Sequence, residues 1–160
     1  MQAFLSDMEE KFMRRALACA KKAAVMGEVP VGAVIVRNGT VVSTGYNRRE
    51  TDKNALRHAE ITAIDRACKK LGGWRLWECD IYVTLEPCPM CAGAIINSRI
   101  RNVYIGAPDE KNGAMGSVMT LQNAFTHRPS VFHGILENEC AALLSEFFAK
   151  LREKKKQKDN

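Results

Sequence analysis

Two short stretches carry residue types suited to metal-assisted hydrolysis, His58-Ala59-Glu60 and, further along, Pro87-Cys88-Pro89-Met90-Cys91. One imidazole and two thiolates suit a borderline-soft ion, and zinc takes such ligands tetrahedrally. Three protein ligands leave a fourth position for water, which is how a catalytic zinc differs from a closed structural one. An ion held this way lowers the pKa of its water toward about 7. Glu60 would then take that proton and deliver it to the substrate. Residues two apart in mid-helix point about 200° away from each other. The His-x-Glu pair is therefore expected in the first turn of a helix, with Glu60 as a general acid/base beside the metal and not a ligand to it.

Two other readings compete for the cysteine pair. A C-x-x-C at a helix start can be a redox dithiol whose thiolate is stabilised by the helix dipole. It can also belong to a closed zinc site, for which Cys79, His127 or His133 would have to supply the fourth ligand. The upstream His58 and Glu60 favour the catalytic metal over the dithiol, and none of the three spare ligands has the paired spacing of a closed site. Cys19, Cys68 and Cys140 fall on helical apolar stripes and are expected in the core. Glu86 is expected to bond locally instead of acting as a second catalyst.

These motifs need helices whose first turns face a common point. Ser6 with Glu9 reads as a capping box, and apolar residues from Met8 to Ala23 recur at helical spacing until Gly27. Residues 31–36 and 40–46 read as strands joined by the Asn38-Gly39 hairpin signal. A polar loop over 47–54 leads to a second helix over about 57–71, closed by Gly72-Gly73. A third strand over 80–85 precedes a helix begun by Pro87 and running to about 98, since proline suits a helix's first turn. A fourth strand over 102–105, a loop over 107–116, a short helix over 117–124 and a strand over 130–133 follow. A long amphipathic helix over about 137–152 comes last. Strands alternating with helices after the hairpin predict one α/β domain with helices on both faces.

At 160 residues and 46% hydrophobic composition the chain reads as one globular domain, residues 1–152, followed by a basic tail over 153–160 expected to be disordered. No apolar run approaches the ~20 residues that span a bilayer, and the first residues lack a secretory pattern. Both point to a cytoplasmic protein whose six cysteines are thiols or ligands. Lys150 to Asn160 holds six basic residues against Glu153 and Asp159, so it supplies +4 of the formal +6 and leaves about +2 elsewhere. That charge permits an RNA partner without demonstrating one. Arg48, Arg49, Lys53, Arg57 and Lys111 lie near the motifs as candidate phosphate contacts, though each taken singly reads more readily as a solvated charge. Trp74 and Trp77 are expected to pack into the tertiary structure.

The H-x-E…P-C-x-x-C pattern is the known signature of the zinc nucleobase deaminases. Around it stand Glu28-Val29-Pro30-Val31-Gly32-Ala33-Val34, Gly45-Tyr46-Asn47-Arg48-Arg49-Glu50, Gly106-Ala107-Pro108-Asp109-Glu110-Lys111 and Glu139-Cys140-Ala141-Ala142-Leu143-Leu144-Ser145-Glu146-Phe147-Phe148. Together they resemble the bacterial tRNA-specific adenosine deaminases of the cytidine deaminase-like superfamily, over nearly the whole chain. The resemblance implies a three-layer α/β/α domain with a mixed five-stranded sheet. It also implies a homodimer, one Zn2+ per chain, and conversion of adenosine to inosine at the wobble position of an arginine tRNA anticodon. His58, Cys88 and Cys91 match the zinc ligands and Glu60 the proton shuttle. Asn47, Val29, Pro30 and the backbone of Ala59 match the pocket of the flipped base, Asp109 an acidic position near the RNA sugar, and Phe148 a contact to the anticodon loop. The expected partner is a tRNA anticodon stem-loop, with no membrane and no DNA. The alternative is a free-base or nucleotide deaminase acting on guanine, cytosine or deoxycytidylate, which would share the metal set. A non-enzymatic RNA-binding subunit with structural zinc is a further reading, disfavoured by Glu60.

Overall fold

Alternate residues of each strand face opposite sides of the sheet, and that alternation decides the layers. The computed structural model describes residues 7–160, so the expected Ser6 cap lies outside the described residues. Helix α1 (Asp7–Val25) leads into the hairpin β1 (Gly32–Arg37) and β2 (Thr40–Tyr46). Then follow α2 (Ala59–Leu71), β3 (Cys79–Leu85), α3 (Pro89–Asn97) and β4 (Asn102–Ala107), and finally β5 (Ser130–Phe132) and α4 (Glu137–Lys158). Ala33, Ile35, Ile81, Val83, Val103 and Ile105 pack with α2 and α3 on one face. Val34, Val36, Tyr82 and Tyr104 pack with α1 and α4 on the other. The expected mixed five-stranded sheet between two helical layers is what forms.

Strand order is β2-β1-β3-β4-β5, with β1 antiparallel to β2 and β3, and β3, β4 and β5 mutually parallel. The start of β1 therefore meets the ends of β2, β3 and β4 along one edge of the sheet. Ligand sites of open α/β sheets gather at the carboxyl ends of parallel strands, and both motif helices begin at this edge. The approach of α2 to β2 is very close. A Cβ on Gly45 would lie 2.3 Å from the Ala59 carbonyl oxygen, so only glycine lets this helix sit where it does.

Several elements differ from the sequence reading. The helix expected over 117–124 is reduced to a 3-10 turn, Leu121–Ala124. The Val118 and Met119 amides donate back to the Gly113 carbonyl and the Gly116 amide to the Met119 carbonyl, closing a turn in place of the helix's start. Trp74 and Trp77 are half exposed, at 48% and 52%, while Leu76 between them is fully buried. The Arg75 guanidinium lies 4.1 Å over the Trp74 ring. Helix α4 continues through the basic residues to Lys158, so the segment expected to be disordered is an exposed helical end. Among the described residues no helix is long and apolar enough to cross a membrane.

Candidate metal centre and substrate cavity

His58 is the N-cap of α2 and Cys88 the N-cap of α3, both in extended backbone. Glu60 therefore falls in the first turn of α2 and Cys91 in that of α3, which resolves the facing problem of the His-x-Glu spacing. His58 Nδ1 lies 3.7 Å from Cys88 Sγ and 3.6 Å from Cys91 Sγ. A tetrahedral ion about 2.3 Å from sulfur and about 2.1 Å from nitrogen would hold them about 3.6 Å apart. The three donor atoms all lie within 4.8 Å of one another, and among the described residues no fourth His, Cys, Asp or Glu joins the group. His127 Nε2 sits 2.7 Å from the Ile100 carbonyl oxygen and His133 Nε2 3.1 Å from that of Met115. Cys79 is buried at the far end of β3, opposite Arg37. The donor set fits an open three-ligand zinc site, and the closed reading loses its fourth ligand.

The electrostatics suit that use. Hydrogen bonds from the Cys91 and His58 side chains hold the Cys88 thiol down at about 4, against the opposing effect of burial. Cys91, which donates to Cys88 and is itself buried, is pushed strongly up. His58 is raised by its hydrogen bond to Cys88, so the protein alone favours an imidazolium–thiolate pair whose protons a metal displaces. Burial raises the Glu60 carboxyl above the usual carboxylate range. A carboxyl tuned upward exchanges protons more readily near neutral pH.

These groups open into a cavity of about 800 Å³, within the size range of small-molecule sites. Of the expected substrate contacts, Val29, Asn47, Ala59, Asp109 and Phe148 line it, as do Arg49 and Lys111. Pro30 is buried and does not line it; its neighbour Val31 does. Residues 29–31 precede β1 in a tight turn closed by the Val31 amide donating to the Val29 carbonyl oxygen at 2.9 Å. Asn47 is held by donating Nδ2–H to the Val29 carbonyl oxygen at 3.3 Å and by accepting the Arg49 amide at 3.3 Å. Asp109 is partly engaged, since its Oδ1 accepts the amides of Lys111 and Asn112 at 3.1 and 3.0 Å. Arg48 is committed to Asp52 at 2.9 Å, and Arg57 lies 3.9 Å from the same carboxylate.

Sequence spacing did not reveal the apolar walls Leu85, Ala107, Ala141 and Leu144 or the rim residue Glu137. They come from β3, β4 and α4, and no local pattern links them. Nor did it show the scale of Glu86's role. Burial alone would raise this carboxyl, but hydrogen bonds from Ser117, Met115 and Asp109 outweigh it and hold the group low.

Comparison with known proteins points the same way. The sequence profile of the cytidine and deoxycytidylate deaminase zinc-binding region matches residues 6–107. The tRNA-specific adenosine deaminase of Bacillus subtilis is 50% identical over 150 residues, covering 92% of this chain and 93% of the relative. A solved structure described under A-to-I editing by tRNA:A34 deaminases at the wobble position of transfer RNA is 44% identical, with a TM-score of 0.82. It covers 84% of this chain and 99% of that one. A guanine deaminase from Nitrosomonas europaea shares the fold at a TM-score of 0.78 but only 25% identity, over 88% of this chain and 84% of its own.

Proposed function

The chain belongs to the zinc-dependent cytidine and deoxycytidylate deaminase family, and within it to the tRNA-specific adenosine deaminases; from that premise we propose how its residues divide the work. The enzyme hydrolyses adenosine to inosine at the wobble position of a tRNA anticodon, releasing ammonia. His58 Nδ1 and the sulfurs of Cys88 and Cys91 hold the zinc. Bound there, zinc supplies Lewis acidity that makes water a usable nucleophile near neutral pH.

Glu60 accepts the proton of the attacking water and passes it to the ring nitrogen next to the carbon under attack. Glu60 then takes the remaining proton from the hydroxyl on the tetrahedral carbon and gives it to the amine; the C–N bond breaks as C=O forms, and one water is consumed for each ammonia released. Val29, Ala59 and Asn47 form the walls that receive the base, with the second Asn47 N–H available to orient it. The base must leave its stack to reach so deep a site, and a loop nucleotide spares the few kcal/mol needed to open a duplex. Asp109, Lys111 and Phe148 at the rim meet the ribose and neighbouring nucleotides, where a 2′-OH contact separates RNA from DNA.

The observation that carries this reading is the conjunction of a tetrahedrally spaced donor trio with a buried, upward-tuned Glu60 in one nucleoside-sized cavity. The test offers the enzyme an arginine-type anticodon stem-loop, stem-loops of other acceptors, guanine and deoxycytidylate, and measures ammonia and inosine. Turnover confined to the arginine-type stem-loop supports the assignment, equal turnover of all stem-loops removes the arginine preference, and turnover of guanine alone overturns it. We further infer a cytoplasmic homodimer. Sedimentation at the mass of one chain would refute the dimer.

A further inference from the structure

Loop 108–117 supplies five residues of the cavity wall, Pro108 to Asn112, yet residues 110–112 are exposed and have little packing of their own. The side chain that gathers most of this loop's donors is one carboxylate. Glu86, only 2% exposed, follows β3 directly and precedes the zinc-binding Pro87-Cys88 segment. Its Oε1 accepts the Asp109 amide at 3.4 Å and the Ser117 hydroxyl. Its Oε2 accepts the amides of Met115 at 3.2 Å and Ser117 at 3.1 Å. Both oxygens are thus committed to the loop, and the ionised carboxylate is the one side chain that accepts four such donors without donating.

Backbone bonds reinforce the anchor on either side. The Glu86 amide donates to the Ala107 carbonyl and the Ala114 amide to the Pro87 carbonyl, each at 2.9 Å. Gly113 lies against the anchor so closely that a Cβ there would be 2.2 Å from Glu86 Oε2. From Asp109 the order passes outward, because its own Oδ1 holds the amides of Lys111 and Asn112 at the rim.

We propose that Glu86 is a positioning residue that fixes loop 108–117 over the cavity and thereby sets the affinity and the RNA preference of the enzyme, without taking part in the chemical step. This rests on the tRNA deaminase reading above. Glu86→Gln keeps the shape but turns an amide donor toward two of the four donors, so the loop is released while the metal ligands stay.

The experiment measures four quantities for the full-length zinc enzyme and for E86Q. They are kcat and KM on RNA and DNA anticodon stem-loops, zinc content, and hydrogen exchange at the amides of Asp109, Met115 and Ser117. For E86Q the KM for the RNA stem-loop is expected to rise about tenfold or more, with kcat within about threefold. The RNA-to-DNA ratio of kcat/KM should fall, exchange at the three amides should quicken, and zinc should stay near one per chain. Ser117→Ala, which removes one of the four side-chain-directed bonds, should move the same quantities less. Unchanged KM and exchange would overturn the proposal. So would a hundredfold fall in kcat at constant KM, or loss of zinc, either of which would place Glu86 in the reaction centre. If E86Q fails to fold, S117A and Gly113→Ala decide by the same criteria. A wild-type enzyme inert on every stem-loop would sink the substrate reading instead, while the exchange data would still judge the anchor.

Discussion

Replacing Gly45 by alanine tests whether the contact between β2 and α2 sets the position of the reaction centre. The added Cβ would lie 2.3 Å from the Ala59 carbonyl oxygen and 2.8 Å from the Ala63 amide nitrogen. Both are backbone atoms, so no side chain can swing aside. Moving the oxygen from 2.3 Å to the 3.4 Å where ordinary contact begins displaces the helix start by about 1.1 Å. That turn carries His58 at its cap and Glu60 beside it. A misplacement of about 1 Å costs on the order of 100-fold in rate, and overpacking of this kind costs about 1–3 kcal/mol of stability. Gly45→Ala is therefore expected to lower kcat/KM on an anticodon stem-loop about 100-fold and to lower Tm by several degrees. Single-turnover inosine formation, zinc analysis and a thermal melt read these out. Gly73→Ala is the control, since a Cβ there meets nothing within 4 Å, and it should leave activity unchanged. An alanine at 45 with activity within threefold of wild type and unaltered zinc affinity would refute the packing argument.

Glu60→Gln is expected to lower kcat by about 10²–10⁴-fold with zinc content unchanged; departure of the zinc would mean that Glu60 is a ligand. Zinc affinity should rise with pH, because the proton on Cys91 and, in acid, that on His58 are held more tightly than usual and must both leave. Cys88, held near 4, releases none above about pH 5. The Cys91 proton alone means about 10-fold per pH unit near neutrality, steepening toward about 100-fold in acid where His58 is protonated too, and a chelator competition that is flat with pH would contradict the ligand assignment. Glu28 is buried, with Oε1 accepting the Thr51 amide at 2.7 Å and its hydroxyl at 3.0 Å. Glu28→Ala should release the 48–54 loop and cost about 1–3 kcal/mol in urea unfolding, while a cost under 0.5 would show the tie to be idle. Removing residues 153–160, all exposed, should leave Tm and the salt dependence of stem-loop binding unchanged. A slope reduced by about 0.7 for each lost phosphate contact would assign the segment to RNA.

The sequence alone determined the chemistry and the local geometry around it. H-x-E and P-C-x-x-C each open a helix, and their residue types and short spacing were enough to single out His58, Cys88 and Cys91 as candidate ligands and Glu60 as candidate acid/base before any fold was known. The strand alternation and the Asn38-Gly39 turn were readable for the same reason, since each depends on neighbours within a few residues. Tertiary structure decided everything that depends on which elements lie side by side. The antiparallel placement of β1 against β3 brought Val29 and Val31, just ahead of β1, to the ends of β3 and β4. The packing of α4 over that edge added Ala141 and Leu144 to the cavity, residues whose spacing reads only as an amphipathic helix. The local sequence around Gly45 and Glu86 does not show what either residue does. One matters because another backbone comes within van der Waals reach, the other because four donors from a distant loop converge on it, and such demands arise from three-dimensional proximity, which no local run of residues encodes.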